Sequence, residues 1–388
     1  MMKKPLKIIF DASPLLVNKT GVAYYIERLI TQLAAQYPDD IELVGFYYNF
    51  LGRRSTAGLP LAPNLRYRPV RFLPSKLVYQ LRRFGLQIPL EVLAKERADF
   101  VLFGNFLGYP MLRKTPSAPV IHDLTFLDLP QYVSAKNQKD LARFVPQQIK
   151  RSSFVITVSN FSKQRIEEAY QVPAERILVT HIPPEQPTIY SQSEINRTLK
   201  AAGVTQPFLL FLSTIEPRKN LVGLIDAYAA LPEALRDKYA LVVAGRIGWN
   251  CQPEINRLEQ AQKEGLHVIR LGYVDNKTRF TLFQAASLFV LASNYEGFGM
   301  PILESMSYGT PCAVSGIPVF REVAGNTVRY FDQTSTAAIT AAIQQLLESP
   351  GDRQKLGQQG KVHAGELQWS KVAASLYERI CAETAKKT

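Results

Sequence analysis

Residues 288–306 read LFVLASNYEGFGMPILESM, an apolar run followed by a glycine-containing turn and a helical pattern. Pro301 suits the first turn of a helix, because its fixed backbone angle and missing N–H cost nothing there. Gly297 and Gly299 let the backbone approach a ligand closely. The helix would direct its N–H groups and the positive end of its dipole at an anion. The stretch therefore predicts a strand, a phosphate-binding turn and a helix.

Short apolar runs alternate with helical patterns on both sides of this stretch, which is typical of parallel sheets covered by helices. In the first half of the chain, strands are predicted at residues 7–11, 41–47, 99–103, 119–122, 154–158 and 177–181. In the second half, strands are predicted at residues 208–212, 240–244, 267–271, 288–291, 312–314 and 328–331. The Pro-rich polar segment between the two sets, residues 183–207, is predicted to be a linker with one short helix near 195–202.

The expected fold class is therefore α/β, with two Rossmann-like, doubly wound domains. Ligands bind at the carboxyl ends of the strands in such folds, so two facing domains would share one central cleft. We place the domains at residues 1–190 and 191–365, followed by a terminal helix at 366–388.

Length and composition agree with a globular protein of two domains. The 388 residues are 46% hydrophobic and 20% charged, close to the soluble average. Three cysteines without a C-x-x-C pair indicate neither a disulfide framework nor a zinc site. The first apolar run ends at Asp11, too short for a signal peptide, and no run of 18 apolar residues occurs. We expect a cytoplasmic protein, soluble or peripheral on the inner face of the cytoplasmic membrane.

The positive charge is concentrated in one part of the chain. The net charge is +13, and residues 53–114 contain twelve Lys or Arg against three acids. Aromatic and aliphatic residues interleave this basic strip, as on surfaces that lie on anionic lipid headgroups. The alternative is a solvated basic face beside a packed helix. No nucleic-acid motif accompanies the charge, so we do not expect nucleic acid as a partner.

A second informative segment, STIEPRKNL at residues 213–221, follows the predicted strand at 208–212. Arg218 offers a planar fork for phosphate oxygens and Lys219 a compact point charge, a pairing suited to a diphosphate. An isolated Arg-Lys pair is commonly surface charge, and its position at the carboxyl end of a strand favours the binding role here.

Two carboxylates, Glu296 and Glu304, flank the turn in residues 288–306, one before the helix and one on its second turn. Carboxylates suit sugar hydroxyls because each accepts two or more charge-assisted hydrogen bonds. The alternative is a solvated acid beside a glycine-containing loop.

These segments together resemble the retaining glycosyltransferases of family 4 over nearly the whole chain. The resemblance rests on Glu296 and Glu304 as the family's E-x7-E pair, on EPRKN at 216–220, on GYV at 272–274 and on the terminal helix that begins at Trp369. It implies the GT-B fold, in which the last helix crosses back onto the first domain. It also implies a nucleoside diphosphate sugar as donor and no cofactor.

The resemblance implies a role for each matching residue. Arg218 and Lys219 would hold the diphosphate and neutralise the leaving group, and Glu296 would hold the donor sugar. His122, at the end of a strand of the first domain, would reach the sugar near its anomeric carbon. These four residues form the predicted catalytic set.

The nucleotide sugar would be held by a wider set of residues. Glu304 would bind the ribose hydroxyls, and the loop around Gly21, in Thr20-Gly21-Val22, would close over the phosphates. The sugar would contact the backbone of Phe298, Gly299 and Met300. The base would be bordered by Gly245 and by the backbone of Tyr273 and Val274. This set comprises Gly21, Gly245, Tyr273, Val274, Phe298, Gly299, Met300 and Glu304.

The chain departs from the family pattern at one position. Many relatives carry Gly-Arg at the strand end where this chain has Leu212-Ser213, so a second phosphate-binding arginine is missing and more of the role falls to Arg218. No Asp-x-Asp pair, the metal anchor of the other glycosyltransferase fold, occurs, and a metal-independent reaction is favoured. P-loop, full dinucleotide and serine-hydrolase signatures are absent as well.

The predicted reaction moves a hexose, with retention, to a saccharide or lipid-linked saccharide acceptor in polysaccharide biosynthesis. The donor is left open between UDP-glucose, which we take as the first expectation, and GDP-mannose. A nucleotide-sugar epimerase or a phosphorylase of the same fold is an alternative enzyme, and a noncatalytic basic binding protein is an alternative of another class.

Overall fold

A computed structural model describes residues 4–16, 21–52 and 55–386. The chain divides into two compact units. The first unit comprises Met1–Leu124, Lys139–Ile182 and Gln368–Thr388, and the second comprises Thr125–Gln138 and Pro183–Leu367. Nothing in the sequence pattern indicates that residues 125–138 belong with the second unit.

The first unit contains a seven-stranded parallel sheet in the order β3-β2-β1-β4-β5-β6-β7. Its strands are β1 (Leu6–Asp11), β2 (Ile41–Tyr48), β3 (Leu65–Val70), β4 (Phe100–Phe103), β5 (Ser117–Ile121), β6 (Val155–Thr157) and β7 (Ile177–Val179). The central strands are continuous apolar runs because helices cover both faces of a parallel sheet. The helices that begin in residues 21–182 are α1 (Gly21–Gln36), α2 (Ser75–Arg83), α3 (Leu90–Ala94), α4 (Thr125–Asp128), α5 (Ala135–Arg151) and α6 (Asn160–Tyr170).

The second unit contains a six-stranded parallel sheet in the order β10-β9-β8-β11-β12-β13. Its strands are β8 (Phe208–Leu212), β9 (Ala240–Ala244), β10 (Val268–Gly272), β11 (Leu288–Leu291), β12 (Cys312–Ser315) and β13 (Arg329–Phe331). The remaining helices are α7 (Gln192–Ala201), α8 (Leu221–Ala229), α9 (Glu233–Lys238), α10 (Gln252–Lys263), α11 (Asn276–Ala285), α12 (Met300–Ser307), α13 (Pro318–Ala324), α14 (Thr336–Glu348), α15 (Pro350–Glu366) and α16 (Trp369–Ala385). The predicted class, parallel α/β with two sheets, is confirmed.

One strand, β3, was missing from the sequence-based prediction. It carries Arg66 and Arg68 in alternation with Leu65, Tyr67 and Pro69, so it resembles a polar loop more than a core strand. The structure places β3 at the edge of the first sheet, where charged residues and proline are tolerated. Arg66 and Arg68 both form ion pairs with Glu96, so part of the basic strip is neutralised within the protein.

The terminal helix α16 packs against α1 of the first unit. The ring of Tyr377 stacks on that of Tyr37 at 3.8 Å between centroids, and Trp369 lies 6.0 Å from the ring of Tyr25. Apolar residues of α16, among them Leu376 and Ile380, are fully buried. The end of the chain therefore completes the core of the unit in which the chain begins.

Candidate active site

A pair of cations lies in a tight turn at the carboxyl end of β8. Residues Pro217–Lys219 form a single 3-10 turn, and Asn220 follows in the left-handed conformation with φ of 53°. The side-chain oxygen of Asn220 accepts a hydrogen bond from the Gly223 N–H at 3.3 Å and so begins α8. The turn holds Arg218 and Lys219 between a strand end and a helix start, the position at which parallel sheets bind ligands.

The carboxylate of Glu296 joins both cations. The Arg218 Nη1 atom donates to Oε2 of Glu296, and Lys219 Nζ donates to Oε1. The Ser293 hydroxyl donates to the same Oε1 at 3.0 Å. On the other side, Arg218 Nε pairs with Glu216 Oε1 at 2.7 Å. Two cations and two carboxylates therefore form one connected cluster.

Two hydrogen bonds to backbone carbonyls fix the arginine to the segment that carries Glu296. The Asn294 N–H donates to the Arg218 carbonyl at 2.8 Å, and Arg218 Nη1 donates to the Tyr295 carbonyl at 3.0 Å. These contacts join residues far apart in sequence because β8 and β11 are neighbours in the sheet. The structure thus brings together three predicted catalytic residues, Arg218, Lys219 and Glu296.

Burial makes the charges of this cluster strongly interdependent. Lys219 and Glu296 are only 6% exposed. Burial opposes ionisation of Glu296, but the charges of Arg218 and Lys219 and their hydrogen bonds outweigh it and lower the pKa of Glu296 to about 2. Burial, followed by the neighbouring Arg218, lowers the pKa of Lys219, while Glu296 opposes that shift. Glu296 therefore favours the charged form of this buried ammonium and holds it in place.

This cluster of two cations and two carboxylates can stabilise a bound anion. A planar guanidinium and an ammonium, already oriented by carboxylates, can neutralise phosphate oxygens without reorganising during the reaction. Glu216 is 2% exposed, and its Oε2 atom has no hydrogen-bond partner within the part of the chain that the structure describes. One buried carboxylate oxygen is thus available beside the cations.

The turn that precedes α12 requires glycine for its geometry. Gly299 caps the helix with φ of 116°, a backbone angle that other residues rarely adopt. A Cβ atom at this position would lie 2.9 Å from the Phe320 ring. Phe298 is buried and Met300 begins α12, so the predicted sugar-binding backbone directly follows Glu296 in the chain.

Glu304 lies on α12 and is held by an arginine that sequence reasoning missed. Arg279 Nη1 donates to Glu304 Oε1 at 3.0 Å, and its Nη2 donates to Glu185 Oε2 at 3.1 Å. Arg279 is 8% exposed and lies 4.7 Å over the ring of Phe280. The only sequence signal was an arginine next to an apolar run of α11. The contact fixes the carboxylate that was predicted to bind ribose hydroxyls.

The predicted base-contacting residues occupy adjacent strand ends. Gly245 follows β9 with φ of 142°, and a Cβ atom there would lie 1.8 Å from the Ser213 carbonyl oxygen. The Gly245 N–H donates to the Gly272 carbonyl at 2.7 Å. Beyond β10, Tyr273 is 59% exposed and Val274 is partly buried. The loops after β8, β9 and β10 are therefore packed backbone to backbone, and Gly245 permits this.

His122 directly follows β5 of the first unit. Its Nε2 atom lies 3.1 Å from the Gly104 carbonyl oxygen. Its ring packs edge-to-face with the rings of Tyr25 and Phe106, at centroid distances of 5.5 Å and 6.0 Å. Burial lowers the pKa of His122, although the Gly104 hydrogen bond and Asp123 oppose the shift. Gly21 begins α1, which carries Tyr25, and the adjoining Thr20 lies outside the described residues.

The lowered pKa of His122 predicts a pH-dependent stability. In the unfolded chain His122 is protonated as the pH falls through 6.5, whereas in the folded protein protonation of His122 needs a lower pH. Acidification below 6.5 therefore lowers the free energy of unfolding, by at most about 1.4 kcal/mol per pH unit for this group. We expect His122→Gln, whose amide can still donate to Gly104, to lose less stability than the wild type between pH 7.5 and 5.5 in urea titrations. Equal losses in the two proteins would contradict this assignment.

Hydrogen bonds within the second unit hold residues 125–138 beside the cation cluster. This segment begins three residues after His122. The Trp249 indole N–H donates to the Tyr132 carbonyl at 2.6 Å, and the Tyr295 hydroxyl donates to Asp128 at 2.8 Å. Asn294 donates to the Tyr132 hydroxyl at 3.3 Å. These partners are more than 100 residues apart, and no local pattern predicts them.

Three further features bear on the type of site. Among residues 4–16, 21–52 and 55–386, no group of three or more His, Cys, Asp or Glu side chains is arranged to hold a metal ion. None of the helices in those ranges has the length and apolar composition needed to cross a bilayer. The three cysteines are free thiols.

Two protein-family models match the sequence. The model described as Glycosyltransferase Family 4 matches residues 19–182, and the model described as Glycosyl transferases group 1 matches residues 192–363. Together they account for most of both sheets.

A curated relative and two solved structures are similar over almost the full length. The O-antigen chain mannosyltransferase B of Escherichia coli is 28% identical over 383 residues, 94% of this chain and 96% of that protein. Sucrose-phosphate synthase from Thermosynechococcus elongatus has a TM-score of 0.74 at 16% identity, over 98% of this chain and 100% of that one. Anabaena HepE, solved with UDP and glucose, has a TM-score of 0.70 at 17% identity, over 97% and 100%.

Proposed function

Because this chain belongs to the family 4 glycosyltransferases and has the GT-B fold, we propose that it transfers mannose from a nucleoside diphosphate mannose to a saccharide acceptor in polysaccharide biosynthesis. Mannose is favoured by the similarity to an O-antigen chain mannosyltransferase over 94% of the chain. GDP-mannose, which the sequence leaves open beside UDP-glucose, is therefore the first candidate donor.

The observation that carries the proposal is the cluster of Arg218, Lys219 and Glu296. Cleavage of the bond between the sugar and the diphosphate places negative charge on the leaving phosphate. Two oriented cations at a strand end stabilise that charge as it develops, and such preorganised groups supply a large part of many rate enhancements. Glu296 acts on both cations, holding their positions and favouring the charged form of Lys219.

The remaining site residues would bind the donor around this centre. Glu304, oriented by Arg279, would accept hydrogen bonds from the ribose hydroxyls. The base would lie against the backbone at Gly245 and Tyr273, and the sugar against the turn at Gly299. Electrostatic stabilisation by the two cations allows a mechanism without a metal ion. We assign no dedicated general base, because the departing phosphate can accept the proton of the attacking hydroxyl, which also accords with retention at the anomeric carbon.

Donor choice is tested with the purified full-length protein and a panel of nucleotide sugars. A ligand raises the melting temperature according to its concentration relative to Kd, and we expect GDP-mannose to exceed UDP-glucose at equal concentration. Release of GDP with an extract of lipid-linked saccharides as acceptor should follow the same order and persist in EDTA. An α-linked product would establish retention. Stabilisation and turnover with UDP-glucose alone would overturn the mannose assignment but leave the transferase assignment intact.

UDP-glucose is the second candidate donor, because HepE, a protein of this fold, was solved with UDP and glucose. The two candidates differ in both base and sugar, so UDP-mannose and GDP-glucose belong in the same panel. A same-fold epimerase would convert a nucleotide sugar without any acceptor, and the acceptor-free control detects it.

A further inference from the structure

A cavity in the first unit lies at the amino-terminal end of β5 and β6, whereas His122 follows the carboxyl end of β5. Its volume is about 680 Å³, and it is bordered by Ser117, at the start of β5, and by Ser153, just before β6. The five residues from Ser117 to His122, at about 3.3 Å each, place the two sites roughly 17 Å apart. The cavity is therefore separate from the predicted sugar site.

The cavity carries an excess of positive charge. Four cations and one carboxylate line it, namely Arg113, Lys114, Arg151, Lys386 and Glu383. Glu383 is already paired with Lys386 at 2.9 Å and with Arg379 at 3.1 Å.

Two of these cations form no ion pair within the part of the chain that the structure describes. Arg151 and Lys386 lie at the carboxyl ends of α5 and α16, where positive charge stabilises the helix dipole. Arg113 and Lys114, in contrast, are exposed residues of the loop between β4 and β5, and neither side chain forms an ion pair among the described residues. Glu91 accepts a hydrogen bond from the backbone N–H of Arg113 at 3.3 Å, not from its guanidinium. Their charge is available to a ligand.

The wall of the cavity also contains an unsatisfied polar group. Ser117 is 1% exposed and lines the cavity, yet its hydroxyl has no hydrogen-bond partner in the described part of the chain. Burying a hydroxyl without a partner is unfavourable, so such a group commonly marks a missing ligand or water. Gln148, beside it, is held by the Gly108 N–H at 3.1 Å and by Ser152 at 3.2 Å and forms a fixed part of the wall.

Large apolar side chains are exposed beside the cavity. Leu112, which is 68% exposed, lies between Met111 and Arg113 of the lining. Arg151, also of the lining, donates to the side chain of Gln87 at 3.0 Å, and the adjoining Leu86 is 62% exposed. A basic cavity with room for a phosphate headgroup and with exposed leucines beside it matches the amphipathic chemistry of a phospholipid at the membrane surface.

We propose that this cavity binds the phosphate headgroup of an anionic phospholipid, with Arg113 and Lys114 as its main charges and Ser117 as a hydrogen-bonding group. Leu86 and Leu112 enter the acyl region beside the headgroup. The basic strip at residues 53–114 is predicted to contact lipid, and this proposal assigns that contact to the cavity beside Ser117.

The test measures partition of the full-length protein onto vesicles of phosphatidylcholine, with and without phosphatidylglycerol. Each basic residue near an anionic surface contributes roughly a factor of five, so Arg113→Ala/Lys114→Ala should weaken partition onto the anionic vesicles about 30-fold. The matched control is Arg197→Ala/Lys200→Ala, which removes the same charge from exposed positions of α7. We expect it to bind like the wild type. Equal losses in the two variants would mean diffuse charge attraction and would overturn the proposal.

A soluble short-chain phosphatidylglycerol, followed by calorimetry, tests the cavity itself. Ser117→Ala should weaken this binding several-fold without lowering the melting temperature, because the hydroxyl has no partner to lose. Leu86→Ser/Leu112→Ser should weaken vesicle partition but not binding of the soluble lipid. Inorganic phosphate that binds as tightly as the short-chain lipid, without partition onto vesicles, would overturn the lipid assignment. None of these measurements requires a sugar donor, so they are independent of the proposed transferase activity.

Discussion

Lys219→Met is expected to lower kcat by about 100-fold or more, because it removes a preorganised positive charge from the departing phosphate. The variant should also be less stable by about 3 kcal/mol, since Glu296 would remain buried with only one of its two cations. Initial rates are measured below the melting temperature of the variant, with circular dichroism to establish that it is folded.

A second variant separates the loss of charge from the loss of stability. In Lys219→Met/Glu296→Gln the buried anion is removed together with its partner, and we expect most of the lost stability to return while kcat stays low. Lys200→Met, which removes an exposed cation of α7, should change stability by no more than about 0.5 kcal/mol and leave kcat unchanged. A folded Lys219→Met protein with wild-type turnover would exclude the proposed role of the cation pair.

Gly245→Ala is expected to disrupt the donor site through the backbone. The φ of 142° alone costs an alanine on the order of 1–3 kcal/mol, and its Cβ would lie 1.8 Å from the Ser213 carbonyl oxygen. The added Cβ and the Ser213 carbonyl are both fixed to the backbone, so neither can rotate away. The loops after β8 and β9 must therefore separate. We therefore expect a large drop in melting temperature and a KM for the donor raised at least tenfold.

Two other glycines supply matched controls for this prediction. Gly265 has φ of 78° but no atom within 4 Å of the added Cβ, so Gly265→Ala should show only the conformational cost of about 1 kcal/mol. Gly351 has neither a positive φ nor a neighbour within 4 Å, and Gly351→Ala should be neutral or slightly stabilising. A Gly245→Ala protein no less stable than Gly265→Ala would refute the close contact with Ser213.

The strands and the cation-bearing turn follow from local sequence. Continuous apolar runs such as 208–212 and 288–291 are typical of strands whose side chains are buried on both faces of a sheet. Glycine is needed at position 299 because the backbone φ is positive there. These requirements act within a few residues, so they are visible in the chain itself. Arg218, Lys219 and Glu296 could be selected for the same reason, as polar residues at strand ends.

Other features depend on contacts between residues distant in sequence. The edge strand β3 has a polar composition that only its position in the sheet explains. Arg279 gains its importance from Glu304 and Glu185, which lie 25 and 94 residues away. The basic cavity near Ser117 draws its lining from the β4–β5 loop and from the ends of α5 and α16, segments that folding alone brings together.

The amino-acid sequence by itself determined the alternation of strands and helices, the glycines that the turns require and the residue types of the phosphate-binding cluster. Tertiary structure decided which charges meet. Glu296 bridges two cations 77 and 78 residues away. Burial alone would raise the pKa of Glu296, but the charges of Arg218 and Lys219, which meet it only in the folded protein, lower that pKa to about 2. The physical reason is that propensity and backbone geometry act over a few residues, whereas desolvation and Coulomb interactions depend on distances that exist only after the sheets have formed.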